Sequence, residues 1–279
     1  MAAETMRPDV NLDRADAALR QARDAGVELA VLPELFNTGY GYFPEFHTLA
    51  ERVDDGPTWS LLKERSRRWD MAIAAGFVEQ DGGNLYDSLG FVQPDGRIGV
   101  YRKRNLVFWE RARFRPGRSS LIVPTRWGKL GFAICADMIY GRIWREYRDQ
   151  IDLAIISAAW PEFAHRSTGR GHWLFGRIGP LSAEIPQKLA VEADIPVIFA
   201  NQCGPTRTKI PAILGAFDDR FAGQSSLCDG RRVLPVQAGR DEAVLVSTLT
   251  LPNANDRGNM PCRSMSRLAL AASSSAPVR

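Results

Sequence analysis

Three ionisable side chains of different chemistry follow three separate apolar runs in this sequence of 279 residues. Glu34 ends the run 29–34, Lys103 ends the run 99–103, and Cys135 follows the run 129–134. Strand ends gather at one edge of an open α/β sheet, where such architectures place ligand sites, so we expect these side chains to lie close together. A thiolate is a nucleophile, a carboxylate can accept its proton, and an ammonium group can stabilise an oxyanion. Together they predict covalent catalysis by a cysteine.

Each of these residues also has an ordinary structural explanation. Free cysteines are among the most buried residue types, and a single Glu or Lys is usually a solvated surface residue. Asp137 stands two positions after Cys135, whereas no acidic residue stands two positions after Cys203 or Cys228. We therefore interpret Cys203 and Cys228 as buried thiols.

Helical and strand patterns alternate along the chain, which predicts an α/β or α+β fold with a large sheet content. The predicted helices cover residues 11–25, 59–68, 142–148 and 182–194, and the predicted strands cover residues 27–32, 71–79, 86–93, 97–101, 121–124, 129–134, 153–157, 195–201, 221–227, 233–236 and 243–249. Residues 1–251 are predicted to form one domain. Residues 252–279 lack periodicity and are expected to form a poorly ordered tail. The first six residues are too short and polar to make a good opening strand.

The amino-acid composition and charge argue against several classes of partner. The sequence is 45% hydrophobic and 24% charged, which is ordinary for a globular protein, and its net charge is +4. The basic residues are scattered, so a nucleic-acid partner is not expected. No apolar run is long enough to span a bilayer, and the four cysteines lack zinc-binding spacing. These features predict a reduced, cytoplasmic protein without a membrane partner.

The motifs, taken in this order, resemble the carbon–nitrogen hydrolase (nitrilase) superfamily over roughly residues 9 to 250. The stretches that carry the resemblance are 31–35 with 38–40, 103–106 followed by Glu110, Phe114 and 116–117, Cys135 to Asp137, 159–161, 200–204, and 223–226. The three-part order of Glu34, Lys103 and Cys135 is specific, whereas any single part is a weak signal.

The resemblance implies an α-β-β-α sandwich that pairs with a second copy through helices, giving a homodimer or higher homo-oligomer. It implies no metal and no organic cofactor. It assigns Glu34 as the general base, Lys103 as the oxyanion stabiliser and Cys135 as the nucleophile, with the backbone N–H of Ala136 as a second donor to the oxyanion. Glu110 matches a second glutamate that positions the substrate nitrogen and supports Lys103.

The loop 108–115 mixes aromatic and cationic side chains. It is interpreted either as a pocket wall that accepts a carboxylate-bearing or aromatic amide, or as an exposed loop pinned by Trp109 and Phe114. If the family layout holds, Tyr40, Tyr140 and Trp160 face the mouth of the same pocket. The predicted substrate-binding residues are therefore Tyr40, Trp109, Ala136, Tyr140 and Trp160.

Two histidines, His165 and His172, lie in an irregular segment rich in Gly, His and Trp. Without a third ligand nearby, a histidine pair is more often structural or pocket-lining than metal-binding. No metal site is therefore predicted.

The residues after Cys135 resemble those of amidases and carbamoylases more than those of nitrile-cleaving members. We expect a hydrolase that cleaves a C–N bond of a small amide or N-carbamoyl compound through a cysteine thioester. One alternative is a nitrilase that converts a small nitrile to its acid. An alternative of another class is a non-catalytic binding protein on the same fold.

Overall fold

The computed structural model describes residues 1–107, 109–162, 180–209, 216–229, 236–249, 251 and 267–270. In these parts of the chain, helices and strands build two six-stranded sheets and a separate hairpin. The strands are β1 (Val27–Val31), β2 (Ala72–Asp81), β3 (Asn84–Val92), β4 (Ile98–Arg102), β5 (Ile122–Thr125), β6 (Gly128–Ile134), β7 (Leu153–Ala158), β8 (Val197–Asn201), β9 (Cys203–Lys209), β10 (Ala216–Ala222), β11 (Ser226–Cys228), β12 (Val236–Gln237), β13 (Leu245–Thr248) and β14 (Arg267–Leu270).

In the described residues, five α-helices and two 3₁₀ helices connect the strands. The helices are α1 (Pro8–Asp24), α2 (Phe46–Leu49), α3 (Pro57–Trp69), α4 (Gly141–Tyr147) and α5 (Leu181–Ala193), and the 3₁₀ helices are Glu110–Ala112 and Cys135–Ile139. None of the helices in the described ranges combines the length and the apolarity that crossing a membrane requires.

The first sheet has the order β13-β14-β1-β2-β3-β4, and the second has the order β12-β11-β8-β7-β6-β5. Their facing surfaces enclose one continuous apolar core, to which Val31 and Phe91 of the first sheet and Phe132 and Ile155 of the second contribute. Because strand side chains alternate between two faces, the opposite face of each sheet must also be covered.

Helices cover both outer faces. Apolar side chains of α1 and α3, including Leu19 and Leu62, pack with Ile73 of β2 in a second cluster. Ile143 of α4 and Ala190 of α5 join the core on the side of the second sheet. The predicted α-β-β-α sandwich is therefore confirmed.

Some predicted elements differ from the structure. The strand predicted over 221–227 is two strands, β10 and β11, because Gly223 and Gln224 have φ values of +64° and +54° and turn the chain between them. The hairpin of β9 and β10 was not predicted over its full length. The residues His165 and His172 lie outside the described residues, as does most of the tail.

Within the segment 252–279, which the sequence analysis predicts as a tail, the structure describes residues 267–270. These residues form β14, which pairs parallel with β1 and antiparallel with β13. Its backbone therefore exchanges hydrogen bonds on both sides, in an inner position of the first sheet. A four-residue strand is too short to show a periodicity in the sequence, which is why pattern analysis misses it.

Candidate active site

The carboxyl ends of strands from both sheets meet at one edge of the sandwich. Glu34 follows β1, Lys103 follows β4, and Cys135 follows β6. All three residues are buried, with exposed fractions of 0%, 0% and 5%. The hydroxyl of Ser157, on β7, donates a hydrogen bond of 3.0 Å to the carbonyl of Leu32, which joins the two sheets at this edge.

The backbone turns sharply at Glu34. The next residue, Leu35, has a φ of +45°, in the left-handed region that disfavours side chains with a Cβ. Gly76 on β2 lies against this turn, since a Cβ placed there would be 2.6 Å from the Glu34 Cα. The Gln202 side-chain amide donates a hydrogen bond of 2.6 Å to the Glu34 carbonyl, and the Ala159 N–H donates one of 2.5 Å to Glu34 Oε2. Glu34 is thus fixed at its backbone and at its carboxylate.

Lys103 is positioned by the pairing of β3 with β4. Its amide donates a hydrogen bond of 2.9 Å to the carbonyl of Asp87, which continues the ladder one residue beyond β4. Its ammonium group donates hydrogen bonds to Glu34 Oε1 at 2.6 Å and to Glu110 Oε1 at 2.5 Å. Asp87 Oδ2 lies 3.3 Å from the same nitrogen. A buried ammonium is thus surrounded by three buried carboxyl groups.

Glu110 opens a short 3₁₀ helix and accepts hydrogen bonds on both oxygens. The Tyr40 hydroxyl donates to Oε1 at 2.7 Å, and the Val107 N–H donates to Oε2 at 2.7 Å. The Tyr40 ring also faces the Lys103 ammonium, with its centroid 5.7 Å from Nζ. Glu110 is therefore fixed in contact with the Lys103 ammonium group.

Cys135 begins the second 3₁₀ helix with a φ of +47°, another left-handed position. Asp137 stabilises this turn from within, because it accepts hydrogen bonds from the Ile134 N–H at 3.2 Å and from the Tyr101 hydroxyl at 2.8 Å. The backbone N–H and the side-chain amide of Asn105 each donate to it at 2.8 Å. Asp137 thus connects the turn at Cys135 to the segment that follows Lys103.

Burial and neighbouring charges shift pKa values within the cluster formed by Glu34, Asp87, Lys103, Glu110 and Cys135. Burial first, and then the negative charge of Glu34, raise the pKa of the Cys135 thiol well above its ordinary value. Burial alone would lower the pKa of Lys103, but the carboxylates of Glu110, Glu34 and Asp87 outweigh burial and raise it. At neutral pH the cluster therefore contains a protonated thiol and a protonated amine.

One carboxylate oxygen from each of Glu34, Asp87 and Glu110 lies within 4.8 Å of the others, a spacing at which carboxylates can hold a metal ion. Lys103 already places a positive charge in contact with all three. The three carboxyl groups therefore fit the ammonium group of Lys103 as their positive partner.

The other predicted substrate-binding residues have different surroundings. Trp109 packs edge-on against Tyr40, with ring centroids 6.1 Å apart, and Ala136 directly follows Cys135. Trp160 is 4% exposed, and its backbone N–H donates a hydrogen bond of 2.7 Å to the Asn201 side chain. Tyr140 is 45% exposed, and in the described part of the chain no hydrogen bond joins it to the cluster. Its role in the pocket stays a prediction.

Asp87 was missed by the sequence analysis. Its strand, β3, places Leu85, Asp87, Leu89 and Phe91 at alternating positions, and all four are buried. A charged residue at a position where its neighbours on the same face are apolar was the available signal. Ala159 and Gln202 lie in stretches that carry the family resemblance, but the sequence analysis assigned no role to either residue, because the residue type alone does not show which backbone or amide group acts as a donor.

The sequence is similar to several known proteins. A sequence model described as carbon-nitrogen hydrolase matches residues 1–256. A nitrilase of Pyrococcus abyssi is 35% identical over 140 residues, which cover 49% of this chain and 53% of that protein. The match therefore spans about half the length of that relative. The omega-amidase NIT2 of Homo sapiens is 30% identical over 258 residues, which cover 86% of this chain and 83% of the human protein.

Solved structures show the same fold. An amidase from Nesterenkonia sp. superposes with a TM-score of 0.68 at 20% identity, covering 86% of this chain and 84% of the amidase. A CN-hydrolase superfamily protein from Xanthomonas campestris, with an arsenic adduct in its active site, gives a TM-score of 0.65 at 22% identity, covering 86% of this chain and 84% of that protein.

Proposed function

Since this chain belongs to the carbon–nitrogen hydrolase family, we propose that it hydrolyses a C–N bond of a small amide or N-carbamoyl compound through a thioester on Cys135. The observation that carries the proposal is the buried Lys103 ammonium, held between Glu34 and Glu110 beside a buried free cysteine. Structural cores rarely bury an amine and carboxylates together unless the groups serve a purpose, since removing charges from water is costly.

The proposed first step is the attack of the Cys135 sulfur on the substrate carbonyl carbon. Because the thiol is protonated in the free enzyme, Glu34 must accept the thiol proton as the C–S bond forms. The developing oxyanion would accept hydrogen bonds from Lys103 and from the backbone N–H of Ala136. That N–H lies in the first turn of a 3₁₀ helix, where amides have no acceptor within the helix.

The tetrahedral intermediate then collapses. The C–N bond breaks, Glu34 returns its proton to the departing nitrogen, and a thioester on Cys135 remains. Water next gives a proton to Glu34 and attacks the thioester carbon. The second collapse releases the carboxylic acid, and the proton held by Glu34 returns to the sulfur, which regenerates the starting enzyme.

Glu110 has a supporting role in this proposal. Two of the three protons of the Lys103 ammonium are donated to Glu34 and Glu110, so these carboxylates fix the direction of the third. Glu110 is itself fixed by Tyr40 and by the backbone of Val107. Such prior orientation of a donor is what makes it effective toward a developing charge.

A solved relative supports the choice of nucleophile. In a glutamate-to-leucine mutant of the Nesterenkonia amidase, the acetamide moiety of fluoroacetamide adds covalently at the active-site cysteine. The corresponding fold, with Cys135 at a strand end, supports the same use of the thiol in this chain.

A nitrilase activity is the second candidate, because the Pyrococcus abyssi relative at 35% identity is a nitrilase. The same attack by Cys135 on a nitrile carbon would give a thioimidate, which water converts to the thioester with loss of ammonia. Substrate preference between amide and nitrile therefore separates the two candidates, while the nucleophile is common to both.

The test is intact-mass measurement after mixing the protein with a panel of small amides, N-carbamoyl amino acids and nitriles. We expect an acyl adduct on the wild-type protein that is absent from Cys135→Ala. The control variant, Cys228→Ala, removes another buried free cysteine and should keep the adduct. Equal turnover by Cys135→Ala would contradict the mechanism, and absence of turnover on every compound would favour a binding protein.

Self-association through helices is also a proposal. A groove between α4 and α5 is lined by Ile139, Trp144, Ile185 and Leu189, and Ile139 is 50% exposed. Pairing of two copies would remove these apolar side chains from water. Sedimentation velocity measures the mass of the assembly and decides between one copy and two.

A further inference from the structure

Asp87 is the carboxyl group in the site that the proposed mechanism does not use. It is 1% exposed and lies on β3, directly across the ladder from Lys103. One of its oxygens is 3.3 Å from the Lys103 ammonium, and neither oxygen has a hydrogen-bond partner among the described residues.

The charges of the cluster do not balance if every carboxyl group is ionised. Glu34, Asp87 and Glu110 would contribute three negative charges, and Lys103 contributes one positive charge. Among the described residues, the neutral thiol of Cys135 and the neutral hydroxyl of Tyr40 are the other titratable groups that face these four side chains. Carboxylates that share a buried site resist ionising together, so one of the three should hold a proton.

Hydrogen bonds indicate which carboxyl group that is. Both oxygens of Glu34 and both oxygens of Glu110 accept hydrogen bonds, and those bonds stabilise the ionised form. Neither oxygen of Asp87 accepts a hydrogen bond from a described residue, so protonating Asp87 disrupts no hydrogen bond to the ionised form. A protonated carboxyl group can also donate, and the carboxylate of Glu34 is its neighbour.

We propose that Asp87 is a positioning residue that carries a proton at neutral pH and donates a hydrogen bond to Glu34. In this form it leaves the Lys103 ammonium to Glu34, Glu110 and the oxyanion. The burial of Asp87 and the negative charge of Glu34 both raise the pKa of Asp87, in agreement with the geometry. When Asp87 ionises, it competes for the ammonium group and the arrangement is lost.

The effect of Asp87 on catalysis rests on the proposed hydrolase function, whereas its protonation does not. Two measurements therefore test the inference. The first is the infrared absorption band of a protonated carboxyl group. We expect this band in the wild-type protein at neutral pH, and Asp87→Asn should remove it. The control Asp95→Asn, on an exposed turn where Arg97 holds the pKa of the carboxyl group below its usual range, should leave the band unchanged.

The second measurement is the pH dependence of kcat/KM. Asparagine has the shape of a protonated aspartic acid and can donate an N–H to Glu34, so Asp87→Asn should keep kcat/KM at pH 7 within about 3-fold of wild type. Asp87→Ala removes the donor and should lower kcat/KM by about 100-fold. The wild-type decline at alkaline pH should be absent from Asp87→Asn or shifted upward by about one pH unit.

An unchanged infrared band in Asp87→Asn would overturn the inference, and so would a loss in Asp87→Asn as large as that in Asp87→Ala. If Asp87→Asn does not fold, wild-type protein with ¹³C-labelled aspartate replaces it. One labelled carboxyl carbon must then titrate far above the others in the NMR spectrum, and its absence overturns the inference. If no substrate is turned over, the band still decides the protonation of Asp87 separately from the function.

Discussion

The Lys103 ammonium shows what single residues contribute to this site. Its side chain is completely buried, so it has exchanged hydration for contacts with Glu34, Glu110 and Asp87. A buried ion pair is weak evidence for stability, because desolvation can cancel the attraction between the charges. Removing one partner is different, because it leaves the others buried without compensation.

Replacing Lys103 with methionine should therefore destabilise the protein although the new side chain is apolar and of similar length. We expect a loss of about 3 kcal/mol in the free energy of unfolding at pH 8, measured by urea denaturation. Without the ammonium, the carboxyl groups bind protons more readily in the folded state than in the unfolded state. The stability of the variant should then rise as the pH falls toward 5, so that its difference from wild type shrinks.

The matched control is Lys188→Met. Lys188 is exposed on α5, and its ion pair with Glu192 is a surface pair, so the expected change is within about 0.5 kcal/mol. A cost for Lys103→Met no larger than this control, or one that is the same at pH 5 and pH 8, would contradict the account of the cluster.

Sequence reasoning at this scale grouped Glu34, Lys103 and Cys135, because a carboxylate, an amine and a thiol at strand ends form a recognisable chemical set, and the family resemblance added Glu110. It missed Asp87, which lies within a strand rather than at its end. What a mid-strand residue faces depends on register and on the opposing strand, neither of which a single sequence displays.

At the scale of elements, the turns that follow β1 and β6 present the reactive groups. Both turns contain a residue with Cβ and a positive φ, Leu35 and Cys135. Such conformations persist where the surroundings determine them strongly. For the turn after β1, the surrounding element is β2, whose Gly76 allows the backbone at Glu34 to approach closely.

Substituting Gly76 with alanine should displace Glu34. The new Cβ would lie 2.6 Å from the Glu34 Cα and 2.7 Å from the Leu35 nitrogen, so backbone atoms must move. We expect a destabilisation of about 1 to 3 kcal/mol in thermal or urea unfolding. Misplacing a catalytic carboxylate by about 1 Å should also lower kcat by about 100-fold.

Gly239→Ala is the control for this substitution, since a Cβ at that position meets no atom within 4 Å and the residue has no positive φ. It should leave both stability and kcat close to wild type. Wild-type kcat in Gly76→Ala would show that the contact between β2 and the turn is not needed to place Glu34.

The long elements were predictable because apolar periodicity survives over many residues. Helix α1 was predicted over 11–25 and is found at Pro8–Asp24, and β6 was predicted over 129–134 and is found at Gly128–Ile134. The four-residue helix α2 and the polar strand β9 carry too little periodicity to be recognised. The order of the strands within a sheet was not predictable either, because it depends on contacts between residues that are distant in the sequence.

At the scale of the whole molecule, the site exists because two sheets face each other with strand ends at one edge. Glu34 and Lys103 follow strands of the first sheet, and Cys135 and Ala159 follow strands of the second. The first sheet is in turn completed by β14, which separates β1 from β13. The strand that leads to Glu34 therefore depends on pairing with residues near the far end of the sequence.

Removing residues 267–279 should thus weaken the first sheet and reduce activity, because β1 loses one of its two parallel partners and β13 loses its antiparallel partner. The loss should appear as a lower Tm and as faster amide hydrogen exchange in β1. Removing residues 271–279 alone leaves β14 in place and is the matched control. Equal Tm values for the two shortened chains would contradict a structural role for β14.

The position of β14 also orders the events of biosynthesis. The strands of the second sheet have all left the ribosome once residue 237 has emerged, whereas β1 must wait for residue 270. At typical elongation rates, the time from the emergence of β1 to the emergence of residue 270 is on the order of tens of seconds. During this time one edge of β1 has no partner. An unpaired strand edge invites pairing with other chains. The nascent first sheet is therefore open to pairing with other chains until β14 is made, and slow translation would extend its period of exposure.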